Sequence, residues 1–222
     1  LLDSMPMWRD ITYEYAAQKG VRAPEGMHKT LNRLSLEQCA EYYQSLGAAG
    51  SMEEIVKELS ACALNGYRTR VREKPQAKEF LELLKENRVP IAIATASNRE
   101  GVLLALERLG MLPLVDCFAT CGEVGKSKES PDIFLYCAEK LGAAAKESVV
   151  FEDSAYAIRT AKNAGFPVVA VEDQVSIHGE TPLETKEGIA SMANLYVRDY
   201  GELISRLAPA EDLSLGLGDL LG

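Results

Sequence analysis

Histidine is scarce in this chain of 222 residues, and its cysteines form no metal-binding pattern. The two histidines, His28 and His178, are far apart in the sequence, and no two cysteines form a CxxC pair. A catalytic system of the Ser-His-Asp or Cys-His type is therefore poorly supported, as are a disulfide framework and a zinc site. The five cysteines are Cys39, Cys62, Cys117, Cys121 and Cys137.

The chain also lacks an excess of basic residues and long apolar runs. Its net charge of −9 argues against a broad nucleic-acid interface, which needs a basic surface, although a small basic pocket remains compatible with it. No apolar run approaches the roughly 20 residues that span a membrane. We therefore expect a reduced, cytoplasmic protein with neither nucleic acid nor membrane as a partner. The sequence gives no indication of oligomeric state.

Two stretches with different sequence patterns divide the chain. Between about residues 21 and 70 the pattern is one of helices and turns, with Leu36–Leu46 and Met52–Leu64 the clearest helices. From about Glu73 onward, apolar runs of strand length alternate with helical segments. We expect an all-helical cap at residues 5–73, inserted into a core of residues 1–4 and 74–207. Residues 208–222 form a C-terminal tail without a clear period, which is unassigned.

The core pattern predicts a doubly wound α/β fold. The apolar run Val149–Phe151 leads into a helix, and a second apolar run follows at Pro167–Val171. A β-α-β unit of this kind is typical of a buried parallel sheet. Further strands are expected near residues 90–94, 115–120 and 195–197. Because strands and helices alternate throughout, the sheet should be mostly parallel and Rossmann-like.

Two adjacent carboxylates, Glu152 and Asp153, follow the Val149–Phe151 run directly. In open α/β sheets ligands gather at the carboxyl ends of the strands, where these two residues would lie. Adjacent carboxylates repel each other unless a cation holds them, and Mg²⁺ prefers oxygen ligands. A magnesium site is therefore predicted here. The alternative is that Asp153 or Ser154 only caps the next helix.

Two other loops should reach the same edge of the sheet. Thr95-Ala96-Ser97 follows an apolar strand and offers a hydroxyl and the N–H groups of a helix start, which favour an anion. A helix cap formed by Ser97 would explain that loop equally well. Lys126 and Lys128 precede the helix that starts near Pro131, and each is either a surface lysine or the partner of an anion. Hydroxyl, ammonium and carboxylate-held cation together indicate phosphate chemistry.

Three of these segments resemble the motifs of a known family. Thr95 after a strand, Lys128 ahead of the Pro-Asp-Ile-Phe run at residues 131–134, and the Phe-Glu-Asp-Ser run at residues 151–154 are similar to the second, third and fourth motifs of the haloacid dehalogenase-like hydrolases. The pattern is most similar to the β-phosphoglucomutase-like branch, whose members carry a helical cap after the first motif. The resemblance covers essentially the whole chain.

The resemblance implies Mg²⁺-dependent phosphoryl transfer through an aspartyl-phosphate intermediate, with a second aspartate acting as general acid and base. Thr95 and its loop would then bind a phosphoryl oxygen, and Lys128 would offset negative charge and orient the nucleophile. Glu152 and Asp153 would hold the metal. Such a division of roles is physically reasonable, since phosphoryl transfer depends mainly on positioning and charge stabilisation.

The first motif of that family, Asp-x-Asp-Gly-Thr, is absent from these 222 residues. In relatives it directly precedes a stretch like Leu1-Leu2-Asp3-Ser4. Neither Asp3 nor Asp10 can replace it, because neither ends a strand with a second aspartate two residues later. In this fold the first strand lies between those that end at Thr95 and Asp153, and its removal would leave buried strand edges unpaired. We therefore expect the natural protein to extend upstream.

Within the family, the cap favours a phosphatase acting on a small phosphorylated metabolite, most simply a sugar phosphate. The mutase branch has a histidine and a phosphate-binding arginine in its cap, and Trp8 and Leu36 occupy those positions here. Arg33 could substitute for that arginine, so a phosphosugar mutase is the alternative. Trp8, Asn32 and Arg33 are the candidate substrate contacts of the cap.

Two non-enzyme functions are the alternatives from other classes. A receiver domain also places acidic residues, a threonine and a lysine at strand ends, but it is usually much shorter and has no helical insert. A catalytically incomplete relative that binds phosphorylated ligands would suit a protein that begins at Leu1. Turnover of a phosphate ester distinguishes an enzyme from both.

Overall fold

In a computed structural model of the chain, residues 1–32, 34–175, 177 and 181–207 are described. The chain divides into two compact units. The first, here called the helical unit, contains Leu2–Arg72 and Glu100–Leu109; the second, the sheet unit, contains Leu1, Glu73–Arg99 and the described residues from Gly110 onward. Each unit has its own cluster of buried apolar side chains.

The helices and strands follow one another in the order expected of an α/β chain with a helical segment near its start. The helices are α1 (Met5–Gln18), α2 (Met27–Leu31), α3 (Leu36–Ser45), α4 (Met52–Thr69), α5 (Ala77–Glu86), α6 (Arg99–Arg108), α7 (Cys121–Val124), α8 (Asp132–Leu141), α9 (Ala155–Asn163), α10 (Lys186–Met192) and α11 (Tyr200–Leu207). The strands are β1 (Leu2–Asp3), β2 (Arg72–Glu73), β3 (Ala92–Thr95), β4 (Cys117–Thr120), β5 (Val150–Glu152), β6 (Val168–Val171) and β7 (Leu195–Val197).

The core of the helical unit is built around two tyrosines. The rings of Tyr15 on α1 and Tyr43 on α3 meet edge to face with centroids 4.8 Å apart, and both side chains are fully buried. Their hydroxyls remain hydrogen-bonded, since Tyr15 donates to Glu58 at 2.6 Å and Tyr43 donates to the carbonyl of Thr12 at 2.9 Å. Burial of large rings with satisfied hydroxyls is a stabilising arrangement.

Gly66 allows α4 to pass close to α1. A Cβ atom at this position would lie 2.5 Å from the sulfur of Met7, closer than van der Waals contact permits. Both Gly66 and Met7 are buried, so a larger side chain at residue 66 would have to displace the methionine. The glycine is therefore a packing requirement within a helix, where its backbone entropy would otherwise be a cost.

Parallel pairing organises the strands of the sheet unit. Strand β3 pairs with β4 in a register that places Thr95 beside Thr120, and β5 pairs with β6 so that Glu152 lies beside Ala170. Strand β6 also pairs with β7, and all four of its residues are buried. The carboxyl ends of neighbouring strands therefore lie together, as the sequence pattern predicts.

The parallel strands form two sheets, β3-β4 and β5-β6-β7. Among the described strands, none pairs with the second edge of β3 or of β5. Helix α8 packs on β3 and β4, and its buried residues Ile133 and Phe134 share one apolar cluster with β6. The division falls where the family resemblance puts a further strand, between those ending at Thr95 and Asp153. The mostly parallel, Rossmann-like architecture is thus confirmed.

Several predicted boundaries shift for identifiable reasons. Helix α5 starts at Ala77, two residues after Pro75, because Gln76 adopts a left-handed conformation with φ of 57°. Strands β3 and β6 start after Pro90 and Pro167, since proline cannot donate to a ladder. Ser4 precedes α1 in a helical conformation with ψ of −14°, and its side chain makes no cap bond. Helix α4 extends to Thr69, five residues beyond the predicted end.

Some elements lack a strong sequence signal and were not expected. These are the short helices α2, α7 and α10 and the two-residue strands β1 and β2, which pair with each other. The tail at residues 208–222 lies outside the described residues. Within the described part of the chain, no helix is both long and apolar enough to cross a membrane.

Candidate active site

The end of β5 brings the two predicted carboxylates into a largely buried position. Successive side chains of a strand point to opposite sides. Phe151 packs against both Phe80 and Tyr200, with ring centroids 5.3 and 6.3 Å away, and this anchors the strand. Glu152 is consequently directed away from that aromatic cluster and is buried, whereas the Asp153 side chain beyond the strand end is 33% exposed.

Lys128 and Glu152 form a buried ion pair. The ammonium of Lys128 donates to Oε1 of Glu152, and only 14% and 7% of the two side chains are exposed. Burial opposes the charged form of Lys128, but the Glu152 carboxylate outweighs this effect and holds the pKa of Lys128 above its ordinary value. The predicted meeting of the third and fourth loops is therefore present in the geometry.

Asp153 is influenced by both signs of charge. Burial first, and then the neighbouring Glu152 carboxylate, raise the pKa of Asp153 above the ordinary range of an aspartate. Lys74 opposes this shift, with its Nζ atom 4.0 Å from Oδ2 of Asp153. Lys74 also donates to Oδ2 of the buried Asp173 at 2.5 Å. Carboxylates at the ends of β5 and β6 thus share a lysine.

The Thr95 loop is joined to this cluster through β4. Oγ1 of Thr95 accepts the N–H of Ser97 at 3.0 Å, which folds the loop back on the strand end. Thr95 lies beside Thr120 in the sheet, and the next residue, Cys121, is close enough to Lys128 and Glu152 to interact electrostatically with both. Ala96 is exposed and Ser97 half-buried.

Two alternative explanations of the predicted site, a helix cap at Ser154 and surface lysines at residues 126 and 128, differ in outcome. Ser154 occupies the N-cap position of α9, but its side chain makes no cap hydrogen bond and instead donates to Oδ1 of Asp153 at 3.2 Å. Capping therefore does not explain the Glu152-Asp153 pair. Lys126 is exposed, in agreement with a surface lysine, whereas Lys128 has the anionic partner.

The donor set at the end of β5 fits a magnesium ion. Mg²⁺ typically takes one or two carboxylates and completes an octahedron with waters and substrate phosphate. Asp153 is partly exposed, and Glu152 lies beside it, with one oxygen engaged by Lys128. Among the residues that the structure describes, no group of three or more His, Cys, Asp or Glu side chains is arranged to hold a metal by itself. A site with two protein carboxylates suits a hydrated Mg²⁺ better than it suits a fully protein-ligated ion.

The candidate substrate contacts of the cap belong to the helical unit. Trp8 is half-buried on α1, where its ring meets Tyr67 of α4 edge to face with centroids 6.5 Å apart. Asn32 follows α2 and is exposed. Arg33 lies outside the described residues. The assignment of these three residues to substrate binding stays a prediction.

Sequence reasoning missed Lys74, Asp173 and Tyr156. Lys74 stands in an ordinary linker before Pro75, and its partner Asp173 is 99 residues away, so no local pattern connects them. Tyr156 lies in the first turn of α9, close enough to Glu152, Lys128 and Asp153 to interact with each. The usable signal was position, since Asp173 follows β6 as Asp153 follows β5.

Comparison with known proteins identifies the class to which this fold and site belong. The family model described as "haloacid dehalogenase-like hydrolase" matches residues 1–165, which is most of the chain. The chain therefore belongs to the haloacid dehalogenase-like hydrolase family. The resemblance to this family is thus confirmed, whereas the roles of Thr95, Lys128 and the Glu152-Asp153 pair stay predictions.

Individual relatives point to phosphorylated small molecules. The chain is 26% identical over 166 residues to a phosphorylated carbohydrates phosphatase of Thermotoga maritima, covering 74% of this chain and 77% of the relative. It is 30% identical over 133 residues to the validoxylamine A 7'-phosphate phosphatase of Streptomyces hygroscopicus subsp. limoneus, covering 60% and 62%. A Thermotoga maritima crystal structure provisionally named β-phosphoglucomutase has the same fold, with a TM-score of 0.75, 24% identity and 89% of each chain covered.

Proposed function

We propose that the protein is a Mg²⁺-dependent phosphatase that hydrolyses a small phosphorylated metabolite, with a sugar phosphate as the substrate class. The observation that carries this proposal is the buried Lys128–Glu152 pair beside the partly exposed Asp153 at the carboxyl end of β5. The family membership and the phosphatases among the relatives support it. The free state of all five cysteines supports a reduced, cytoplasmic setting.

The roles of the residues follow from their charges and positions. Glu152 and Asp153 would hold Mg²⁺, which when bound offsets the charge of the phosphoryl group. The Lys128 ammonium, fixed by Glu152, supplies a second positive charge at the same place. Thr95, Ala96 and Ser97 offer a hydroxyl and backbone N–H groups just ahead of α6, which suit phosphoryl oxygens.

The nucleophile is an aspartate that these 222 residues do not contain, on the analogy of the family's first motif. That motif directly precedes a stretch like Leu1-Leu2-Asp3-Ser4 in relatives. The backbone of Leu1 lies beside this site, since its carbonyl accepts the N–H of Lys74 at 2.7 Å and the Lys74 ammonium is 4.0 Å from Oδ2 of Asp153. Attack on phosphorus by the aspartate of the first motif would break the bond to the substrate oxygen, release the alcohol and form an aspartyl phosphate. Attack by water on that phosphorus would then release inorganic phosphate and regenerate the aspartate.

The helical unit is proposed to act as the cap, with Trp8, Asn32 and Arg33 selecting the substrate. A phosphosugar mutase is the second candidate, supported by the fold likeness to the protein named β-phosphoglucomutase. Trp8 occupies the position of the histidine of the mutase. A mutase depends on cap residues that bind the second phosphate and act as acid and base, so this difference favours a phosphatase.

Turnover of p-nitrophenyl phosphate by the full-length protein with Mg²⁺ tests the proposal. We expect Asp153→Asn to lower kcat/KM by about 100-fold or more, since a charged metal ligand is lost. Asp116→Asn is the matched control, because Asp116 precedes β4 and so lies at the opposite end of the strands from the site. Equal turnover by Asp153→Asn and wild type would refute the metal assignment, and no turnover by wild type would indicate a binding protein.

A further inference from the structure

Lys74 is held firmly in the sheet unit although it lies in a linker. Its N–H donates to the carbonyl of Leu1 at 2.7 Å, and its own carbonyl accepts the N–H of Ala77 at 3.0 Å. The side chain is only 11% exposed. A lysine is rarely buried to this degree unless it is paired, so its partners define its role.

Those partners are two carboxylates at the ends of neighbouring strands. Nζ of Lys74 lies 2.5 Å from Oδ2 of Asp173, beyond β6, and 4.0 Å from Oδ2 of Asp153, beyond β5. Asp173 is itself fixed, because its Oδ1 accepts the N–H of Val175 at 2.8 Å. Asp173 therefore anchors the ammonium, and the ammonium faces Asp153.

Lys74, Lys128, Glu152, Asp153 and Asp173 form a charged cluster, and its charges show how Lys74 affects metal binding. Among the residues that the structure describes there, Glu152, Asp153 and Asp173 contribute three negative charges, and Lys74 and Lys128 contribute two positive charges. Lys128 pairs with Glu152 and Lys74 with Asp173, so Asp153 carries the remaining negative charge. A divalent ion held by Asp153 would share that carboxylate with the Lys74 ammonium, whose Nζ is 4.0 Å from Oδ2, and the two positive charges would repel each other.

We propose that Lys74, anchored by Asp173, is a built-in counter-charge that limits the affinity of the Asp153 carboxylate for a divalent metal. The inference rests on the proposed function, in which Asp153 binds Mg²⁺. Lys74 is in this sense a positioning residue: it acts on the metal through the carboxylate. The counter-charge would give a Mg²⁺ ion that exchanges readily and is bound mainly when substrate phosphate completes its coordination.

Mg²⁺ binding to the full-length protein without substrate, measured by isothermal titration calorimetry, tests the proposal. Lys74→Met makes the cluster more negative by one charge, and we expect it to bind Mg²⁺ at least about tenfold more tightly than wild type. Asp173→Asn makes the cluster less negative and leaves Lys74 to Asp153 alone, so its affinity should fall about threefold or more. The double variant restores the net charge, and its affinity should return to within about threefold of the wild-type value.

The exposed pair Lys85–Asp116 provides matched controls, with 41% and 37% of the side chains exposed. Lys85→Met and Asp116→Asn change the protein's net charge equally and should leave Mg²⁺ affinity unchanged within about twofold.

A purely structural Lys74–Asp173 pair would weaken binding in both single variants or in neither, and either result overturns the proposal. If Lys74→Met fails to fold, the comparison of Asp173→Asn with the double variant remains. Weaker Mg²⁺ binding by Asp173→Asn with recovery in the double variant supports the proposal, and equal Mg²⁺ affinity of these two variants overturns it. Loss of Mg²⁺ binding in Asp153→Asn, measured alongside, separates failure of this inference from failure of the metal assignment.

Discussion

At the scale of single residues, Lys128 and Glu152 differ from the exposed Lys85–Asp116 pair in how little water surrounds them. Their side chains are 14% and 7% exposed, against 41% and 37% for Lys85 and Asp116. Removal of one partner of a buried ion pair leaves the other charge without compensation in a poorly solvated place. Removal of one partner of an exposed pair leaves a charge that water can solvate. The same substitution should therefore have very different costs at the two sites.

We expect Lys128→Met to lower the free energy of unfolding by about 3 kcal/mol, measured by urea denaturation. Adding Glu152→Gln to that variant should recover at least about 1 kcal/mol, because the uncompensated carboxylate is removed. Lys85→Met should cost about 1 kcal/mol or less. Similar losses for Lys128→Met and Lys85→Met would contradict the assignment of a buried pair.

Glu202 should make stability depend on pH in the acid range. The N–H of Arg198 and the guanidinium groups of Arg206 and Arg198 hold its carboxylate and lower the pKa of Glu202 from 4.5 to about 2. Because the folded-state pKa lies below the unfolded one, the stabilisation is complete above about pH 4.5 and is lost as the pH falls towards 2.

The variant Glu202→Gln tests this pH dependence. Its free energy of unfolding should be about 1–2 kcal/mol below that of wild type at pH 6, and the difference should shrink as the pH falls from 4.5 to 2. Glu82→Gln, which removes an exposed carboxylate of α5, is the control for loss of one surface charge. A difference that stays constant across this range would rule out the lowered pKa as its cause.

Local residue patterns predicted three of the five residues of the charged cluster. Glu152 and Asp153 directly follow an apolar run, and Lys128 precedes a recognisable helix start, so strand-end reasoning finds all three. The position of Asp173 after β6 is the same kind of signal, but its pairing with Lys74 could not be found in this way, because it depends on how distant segments fold together. Charge arithmetic at a site therefore requires the structure even where its main residues are visible in the sequence.

At the scale of helices, the same residue type has different effects at different starts. Ser51 before α4 has an extended conformation with ψ of 161°. Its hydroxyl oxygen accepts the N–H of Glu54, and its own N–H donates to Oε2 of the Glu54 side chain. Ser4 before α1 has helical ψ and makes no side-chain cap bond. The sequence offers a serine in both cases, but only Ser51 has a glutamate three residues later, which is the pattern of a capping box.

Ser51→Ala should therefore lower the free energy of unfolding by about 1 kcal/mol, measured by thermal or urea denaturation. Ser4→Ala is the matched control and should cost no more than about 0.3 kcal/mol, because no cap bond is lost. Equal losses in the two variants would show that serine at a helix start stabilises this chain by something other than the cap.

The strands were predicted more faithfully than the short helices. Apolar runs at residues 149–151 and 167–171 are strong signals because both faces of a parallel strand are covered. Helices such as α2 and α7 have five and four residues, too few for a period to show, and are stabilised by their surroundings. The helical unit likewise has little sequence signal for which helices pack together, since this depends on contacts such as Gly66 on Met7.

At the scale of the whole molecule, metal binding should appear as added stability. A ligand that binds only the folded state raises the free energy of unfolding, by about 2.7 kcal/mol at 100 times its dissociation constant. We expect Mg²⁺ to raise the Tm of wild type, and to have no such effect on Asp153→Asn. KCl at equal ionic strength controls for screening. A Tm increase of the same size in Asp153→Asn would mean that Mg²⁺ binds elsewhere.

The division of the strands into two sheets has a consequence for backbone hydrogen exchange. Strand β6 has a partner on each side, whereas β3 pairs with β4 alone among the described strands. In β6 every amide should open only with the whole sheet, so we expect its exchange to be the slowest of the strands. In β3, alternate amides point away from β4 and should exchange much faster than their neighbours, as nuclear magnetic resonance can resolve. Uniformly slow exchange along β3 would reveal a further strand on that edge. The exchange rates of four residues, Ala92–Thr95, therefore report whether β3 pairs with one strand or with two.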